Sequence, residues 1–185
     1  MIDDTLLEAE EKMDTAIEFA KEQFGAIRTG RANAGMFSSL EVDYYGAPTP
    51  LQQLASFNIP DGRTVLISPF DKSSMSAIEK TLRESDLGVN PSNDGNTIRV
   101  IMPTLTEERR RDYVKLAKTK AEDARISVRG VRRKAKEQID KAVKDGEVGE
   151  DEGARAEKEL EALTKKHVDL VDQLLAHKES ELLEV

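Results

Sequence analysis

Arg111, Lys118, Arg125, Arg129, Arg132 and Lys136 follow one another at intervals of seven, seven, four, three and four residues. On a helix, at 100° per residue, they fall within roughly 60° of one another. Lys115 and Arg133 lie just beside them. The chemistry open to such a stripe is electrostatic: guanidinium groups fork onto phosphate oxygens in pairs, and ammonium groups add point charge. The run Leu105–Val143 carries 13 Lys+Arg against 7 Asp+Glu, a net of +6, inside a chain of net charge −8. The rest of the chain therefore sums to −14. A charge run is more often a plain solvated face. Here arginine dominates, only Glu122 and Asp140 interrupt the stripe, and the surroundings are acidic. That pattern points to a docking site for a polyanion.

The element that must position these cations is one long helix. Tyr113, Ala117, Ala121, Ala124, Val128, Val131, Ala135, Ile139 and Ala142 form a second stripe about a quarter turn or more away, suited to packing. Thr106 is placed to cap the N-terminus, with Glu107 and Glu108 at the positive end of the helix dipole. Lys141 and Lys144 suit the other end, and Gly146 ends the run. About 38 residues of helix span about 57 Å. Gly130 sits mid-helix at a cost of about 1 kcal/mol relative to Ala, and nothing in the sequence explains it.

Two further helices are predicted. From Asp4 to Arg28, Leu6, Met13, Ile17, Ala20, Phe24 and Ile27 recur at helical spacing, with Asp3 or Asp4 as the cap and Thr29-Gly30 as the stop. After a turn at Asp145–Gly149, a helix from about Glu150 to Leu183 carries Leu160, Leu163, Val168, Val171, Leu174 and Leu175. From Asp145 to Val185 there are 13 acidic and 5 basic residues, some of them placed to pair with the basic helix. Residues 31–104 hold all six prolines and several short alternating runs. Strands are expected in LEVDYYG (with Leu40, Val42 and Tyr44 on one face), at Thr64–Ile67 and at Ile98–Met102. A helix is expected over Ser74–Glu84, and turn chemistry at Asn90–Asn96. The expected fold class is α+β: residues 1–30 and 105–185 form a three-helix bundle, and 31–104 form an inserted small β/α/β domain. Gly30 and Arg31 on one crossing, and Pro103, Thr104 and Leu105 on the other, would make a hinge or a stiff elbow.

Most other chemistries are excluded by what is missing. There is no cysteine, so neither a disulfide framework nor thiol chemistry is available. No run of 18 apolar residues occurs, so no membrane span is expected, and MIDDTLLEAEEK lacks an apolar signal core. A soluble, cytoplasmic protein is the expectation. RTGRAN at Arg28–Asn33 lacks the phosphate-loop pattern and follows no strand. His167 and His177 share a helix face without a third ligand, so no metal is expected. Tyr44 and Tyr45, adjacent on a strand, should face opposite ways, one towards the core and one exposed, with base stacking open to the exposed ring. No acid/base couple or serine nucleophile stands out, and no cofactor is implied.

Five segments, in order and spacing, resemble the bacterial ribosome recycling factors: RTGRAN, DYYGAPTPLQQLA at Asp43–Ala55, DLGVNP at Asp86–Pro91, IRVIMPTLTEERR at Ile98–Arg110, and VRGVRRKA at Val128–Ala135. The resemblance covers essentially the whole chain. It implies an elongated, L-shaped and hinged molecule: a three-helix bundle bearing an inserted domain. It also implies a role. Such factors bind the post-termination ribosome on large-subunit ribosomal RNA and act with elongation factor G and GTP. Together they split the ribosome into subunits, so that mRNA and tRNA are released. The factor itself is not an enzyme; a monomer is expected separately, since the three-helix assembly leaves no stripe unpaired. The resemblance matches rRNA-contacting arginines to Arg110, Arg129, Arg132 and Arg133, and the wheel adds Arg125, Lys118 and Lys136. Arg110 lies nearer the apolar edge. Arg28 and Arg31 have two roles open to them, meeting RNA or holding the hinge. Ala34 stands where the family often has proline, which would loosen the first crossing. Gly130 stands where a polar residue is usual. The rival readings are a helical-bundle adaptor whose basic stripe binds an acidic helix, and an RNA-binding chaperone.

Overall fold

All six prolines fall between residues 31 and 104, and so does every strand found among the described residues. The computed structural model describes residues 2–184. Three long helices, α1 (Ile2–Gly25), α4 (Glu107–Lys144) and α5 (Glu150–Leu183), flank that stretch in sequence. Within it lie β1 (Glu41–Tyr44), β2 (Ala47–Pro50), the short α2 (Leu51–Leu54), β3 (Ala55–Asn58), β4 (Thr64–Pro69), α3 (Met75–Glu84), β5 (Ser92–Asn93) and β6 (Ile98–Ile101). The chain divides into two compact units: α1 up to Phe24 with Lys115–Glu179, and Gly25–Val114 with the end of α5 from Ser180.

In the first unit three helices share one core. Ile2, Leu6, Ala9 and Met13 of α1 meet Val128, Ala135 and Ile139 of α4 and Ala156 and Leu160 of α5. Of the packing stripe read from α4, the alanines at 117, 121, 124, 135 and 142 are buried with Val128 and Ile139, while Tyr113 and Val131 are half-buried. So many alanines leave little side chain between helices and allow their backbones to approach. At the α4–α5 turn the approach is close: an added Cβ on Gly153 would lie 2.4 Å from Val143 Cγ2. Gly146, at φ +73°, donates to Val143 O, and Glu147 N donates to Ala142 O. This pair of bonds closes the end of α4, with a left-handed residue that suits glycine. Thr106 caps the start of α4 as expected, its Oγ1 accepting from Arg109 N at 3.1 Å.

α1 begins earlier and ends earlier than the periodicity suggested. Asp3 and Asp4 lie within its first turn, not at its cap. The helix stops at Gly25, four residues before Thr29. Ile27 is buried beyond that end, and so is Arg28. The Arg28 guanidinium donates to the carbonyls of Leu87 and Pro103 in the second unit, which takes the chain off the helical path.

The second unit is built on a four-stranded antiparallel sheet of order β3-β4-β6-β5 and a separate β1-β2 hairpin. Val65 and Ile67 of β4, Ile98 and Val100 of β6, and Ile78 and Leu82 of α3 are fully buried in one core with Phe37 and Val42. Three strands escaped the sequence reading. β2 contains Pro48 and Pro50, and proline has no N–H to give a ladder, but the hairpin's outer strand tolerates it. β5 is two residues long, too short to show a period, and β3 (Ala55–Asn58) holds no β-branched residue to mark it as a strand. β5 also lies inside the segment read as turn.

Candidate nucleic-acid interface

α4 holds the cationic stripe in a graded state of pairing. Arg125 is the most engaged, with its side chain 20% exposed. Its Nε and Nη2 donate to Asp172 Oδ1 at 3.0 and 2.7 Å, and Nη1 donates to Glu122 Oε2 at 3.1 Å. Arg132 gives Nη1 to Glu161 Oε1 at 2.7 Å, and Lys136 gives Nζ to Asp140 at 2.8 Å with Glu157 at 3.7 Å. The hydrogen bond it donates to Asp140 raises the Lys136 ammonium above its ordinary value. Arg129, half-exposed, comes only to 3.9 Å from Glu122. Lys118 and Arg133 are exposed, and neither has an ion partner among the described residues. Every one of these contacts is exposed or partly so, and pairs of this kind contribute little to stability.

The acidic partners on α5 had a legible signal. Glu157, Glu161 and Asp172 lie within about 60° on a helix. As the α4 partner number rises from Arg125 through Arg132 to Lys136, the α5 partner falls from Asp172 through Glu161 to Glu157, which is the mark of antiparallel helices. Pairing with the neighbouring helix was expected; the individual partners were not.

Arg110 stands apart from this row. It lies in the first turns of α4, within the second unit, and is half-buried with its Nε buried and lacking an acceptor. It lines a cleft with Arg31, Arg63, Glu181 and Glu184. The other crossing residues, Gly30, Thr104 and Leu105, line the same cleft, and Pro103 gives its carbonyl to Arg28. Arg63 Nη2 bridges Met102 O and Thr104 Oγ1, and Ala32 N donates to Gly62 O at 2.7 Å. The turn at 61–63 thus ties the two crossings together. Of the two flanking arginines, Arg28 is 7% exposed and holds carbonyls, while Arg31 is exposed. Burial lowers the Arg28 guanidinium from its ordinary value.

Two side-chain expectations need correction. Tyr44 packs against the core and Tyr45 is exposed, as expected, but the two do not face opposite ways. Tyr45 adopts φ +51° and Gly46 φ +82° in the β1-β2 turn, which swings Tyr45 out of the strand alternation. The rings meet edge to face at 4.6 Å, and both hydroxyls donate to Asp71 Oδ2. Ser73 adds its hydroxyl and its amide, and these bonds hold the Asp71 carboxyl down at about 2. His167 and His177 do not share a helix face, since His177 is exposed. His167 is fully buried, its Nδ1 donating to Leu163 O and its Nε2 meeting Asp14 Oδ1, both at 2.7 Å. It continues the apolar row between Leu160 and Val171, a position that marks a core histidine.

The arrangement can hold phosphates by charge and by guanidinium forks; among the described residues no cluster of three or more metal-binding side chains occurs. No helix among them is long and apolar enough to cross a membrane. Residues 20–183 match the family described as "Ribosome recycling factor". The ribosome-recycling factors of Kineococcus radiotolerans and Beutenbergia cavernae are 73% and 69% identical to the chain, over all of both sequences in each case. A solution structure of a ribosome recycling factor matches with TM-score 0.76 and 40% identity, covering 100% of this chain and 98% of that one. A Thermus thermophilus ribosome recycling factor, described with Escherichia coli elongation factor G on a post-termination complex, matches with TM-score 0.71 and 38% identity over the whole of both chains. A family match over residues 20–183 and full-length identity on this scale make the chain a member of the ribosome recycling factor family.

Proposed function

We propose that this protein binds the post-termination ribosome through large-subunit ribosomal RNA and, with elongation factor G and GTP, splits it into subunits so that mRNA and tRNA leave. The observation that carries this reading is the full-length match to a factor described on a post-termination complex with that partner. The chain acts as a cytoplasmic monomer and is not an enzyme; GTP hydrolysis belongs to the partner. Arg129, Arg132 and Arg133 on α4 supply the principal phosphate contacts, with Arg110 at the helix start and Arg125, Lys118 and Lys136 along the same helix. Residues 31–104 move as an insert on the bundle formed by 1–30 and 105–185, and Gly30, Arg31, Pro103, Thr104 and Leu105 form the hinge.

Light scattering of 70S ribosomes with elongation factor G and GTP tests the reading. The wild-type chain should lower the scattering. An Arg129→Ala/Arg132→Ala variant should bind large subunits more weakly by about 1–3 kcal/mol per strong contact, with unchanged helicity. A wild-type chain that leaves scattering unchanged, where a known factor lowers it, overturns the assignment.

A further inference from the structure

Tyr45 occupies a turn position that suits a different residue. β1 and β2 are joined by Tyr45 and Gly46 alone, at φ +51° and +82°. A two-residue hairpin turn with positive φ at both positions favours Asn-Gly or Asp-Gly. Tyr45 is the one non-glycine residue with positive φ among the described residues. A bulky side chain is strained in that conformation, and strain of this kind concentrates at sites of function.

The molecule itself gains little from the ring. Tyr45 is 80% exposed, so it adds scarcely anything to the core. Its hydroxyl reaches Asp71 Oδ2 at 3.3 Å, but Asp71 is satisfied without it. Tyr44 donates to Oδ2 at 2.9 Å, and the Ser73 amide and hydroxyl donate to Oδ1 at 2.9 and 2.7 Å. These contacts instead fix the ring, edge to face with Tyr44 and with its hydroxyl 3.2 Å from Ser73 Oγ. An exposed aromatic ring held in place beforehand has little freedom left to lose on binding, which is the property of a docking anchor.

The surrounding charge selects the occupant. Across residues 40–50 and 69–74 the charged groups are Glu41, Asp43 and Asp71 against Lys72. The bonds from Ser73 and the two tyrosines hold the Asp71 carboxyl at about 2, so it is ionised at neutral pH. Such a setting repels phosphate and attracts a cation. A phenol that donates to a carboxylate also keeps more electron density on its ring, which strengthens the pull of the ring face on a cation. Phe70, the residue before Asp71, is 72% exposed. It and Tyr45 are the two most exposed large apolar side chains among the described residues.

We propose that Tyr45, backed by Tyr44 and Asp71, is a docking point for an arginine side chain of a protein partner. Guanidinium suits it better than ammonium, because its plane lies flat on a ring and it is less strongly hydrated. The contact belongs to the second unit and does not depend on the assignment of the α4 cations to RNA.

The test uses the full chain as wild type, Tyr45→Asn and Tyr45→Phe. Each is titrated with hexa-arginine and, at the same salt, with hexa-lysine. The peptides carry equal side-chain charge, so general attraction to a chain of net charge −8 is common to both. Wild type should prefer hexa-arginine. In its NMR spectrum the ring signals of Tyr45 and Tyr44 should move with that peptide, while those of Tyr113 on α4, the third tyrosine, stay in place. Tyr45→Asn should bind hexa-arginine about twofold to fivefold less tightly, the range of one exposed cation–π contact. Its affinity for hexa-lysine should change less, and it should melt no lower than wild type, because Asn suits the turn. Tyr45→Phe keeps the ring and should keep the preference.

An unchanged arginine preference in Tyr45→Asn overturns the proposal, and so do Tyr45 signals that stay still in wild type. Loss of the preference in Tyr45→Phe would tie the effect to the hydroxyl and remove the ring contact. If Tyr45→Asn melts lower, the wild-type signals and Tyr45→Phe decide the matter. A uridine hexanucleotide that moves the Tyr45 signals where hexa-arginine does not would make the ring a platform for bases, and the protein partner would be abandoned.

Discussion

Two glycines inside long helices should respond in opposite ways to the same substitution. Gly130 on α4 has no atom within 4 Å of an added Cβ, whereas on Gly153 of α5 that Cβ would stand 2.4 Å from Val143 Cγ2. Carbon atoms rest about 3.5–4.0 Å apart, so Gly153→Ala demands a displacement of about 1.1–1.6 Å. Val143 cannot easily turn away, because a β-branched side chain in a helix keeps one χ1 rotamer. The strain falls on the separation of α4 and α5, and overpacking of this kind costs about 1–3 kcal/mol. Helix propensity favours Ala over Gly by about 1 kcal/mol at an interior position. Gly130→Ala should therefore stabilise by up to that amount. Gly153→Ala, in the first turns of its helix where the propensity gain is smaller, should destabilise by about 0.5–2 kcal/mol. At about 2–4 °C per kcal/mol for a chain of this size, thermal melts by circular dichroism should move up by about 2–4 °C in the first case and down by about 1–8 °C in the second. Adding Val143→Ala to Gly153→Ala should recover part of the loss. If Gly153→Ala melts as high as Gly130→Ala, the close approach at the α4–α5 turn does not limit stability.

Asp71 makes acid stability testable in the second unit. Its carboxyl titrates near 2 when folded, against an ordinary value of 3.8, because the Ser73 and tyrosine hydroxyls and the Ser73 amide favour the ionised form. The stability it contributes is full above about pH 4 and is lost as pH falls through 2. Asp71→Asn should narrow the gap between neutral and acid melting temperatures; an unchanged gap would deny the cluster that role. In the first unit, His167→Ala leaves a cavity and removes the ring's bonds to Leu163 O and Asp14, and should cost about 2–4 kcal/mol in chemical denaturation. Asp14→Asn should cost far less, since its side chain is exposed and the amide keeps a hydrogen-bonding group at the ring. Similar losses for both would place the burden on the Asp14 charge instead of on packing.

The helices were legible because each carries a long apolar stripe. α5 matches its expected range of Glu150–Leu183 at both ends, and α4 begins after Thr106 and ends before Gly146 as the capping chemistry required. α1 was misread at both ends because its true stop is tertiary: Arg28 reaches carbonyls at Leu87 and Pro103, far away in sequence. The same limit applies to the tyrosines. Alternation placed Tyr45 opposite Tyr44, but a left-handed turn residue broke the alternation at that point. Within the candidate site the wheel found the cations, since periodicity reports a helix face. It could not report that half of them already hold carboxylates, because pairing depends on which helix lies alongside.

The antiparallel row of pairs between α4 and α5 also works as a key for alignment during folding. If α5 slid one turn so that each α4 cation met the residue four positions further along, Arg132 would face Lys165 and Arg125 would face Ala176. A slide the other way would set Arg125 against Val168 and Lys136 against Gly153. Only the native offset gives all three cations an acid. Alanine-rich contacts between α1, α4 and α5 discriminate weakly among such slides, because small side chains interlock little. Charges at the rim, which add little to the depth of the native well, thereby raise the energy of its nearest competitors.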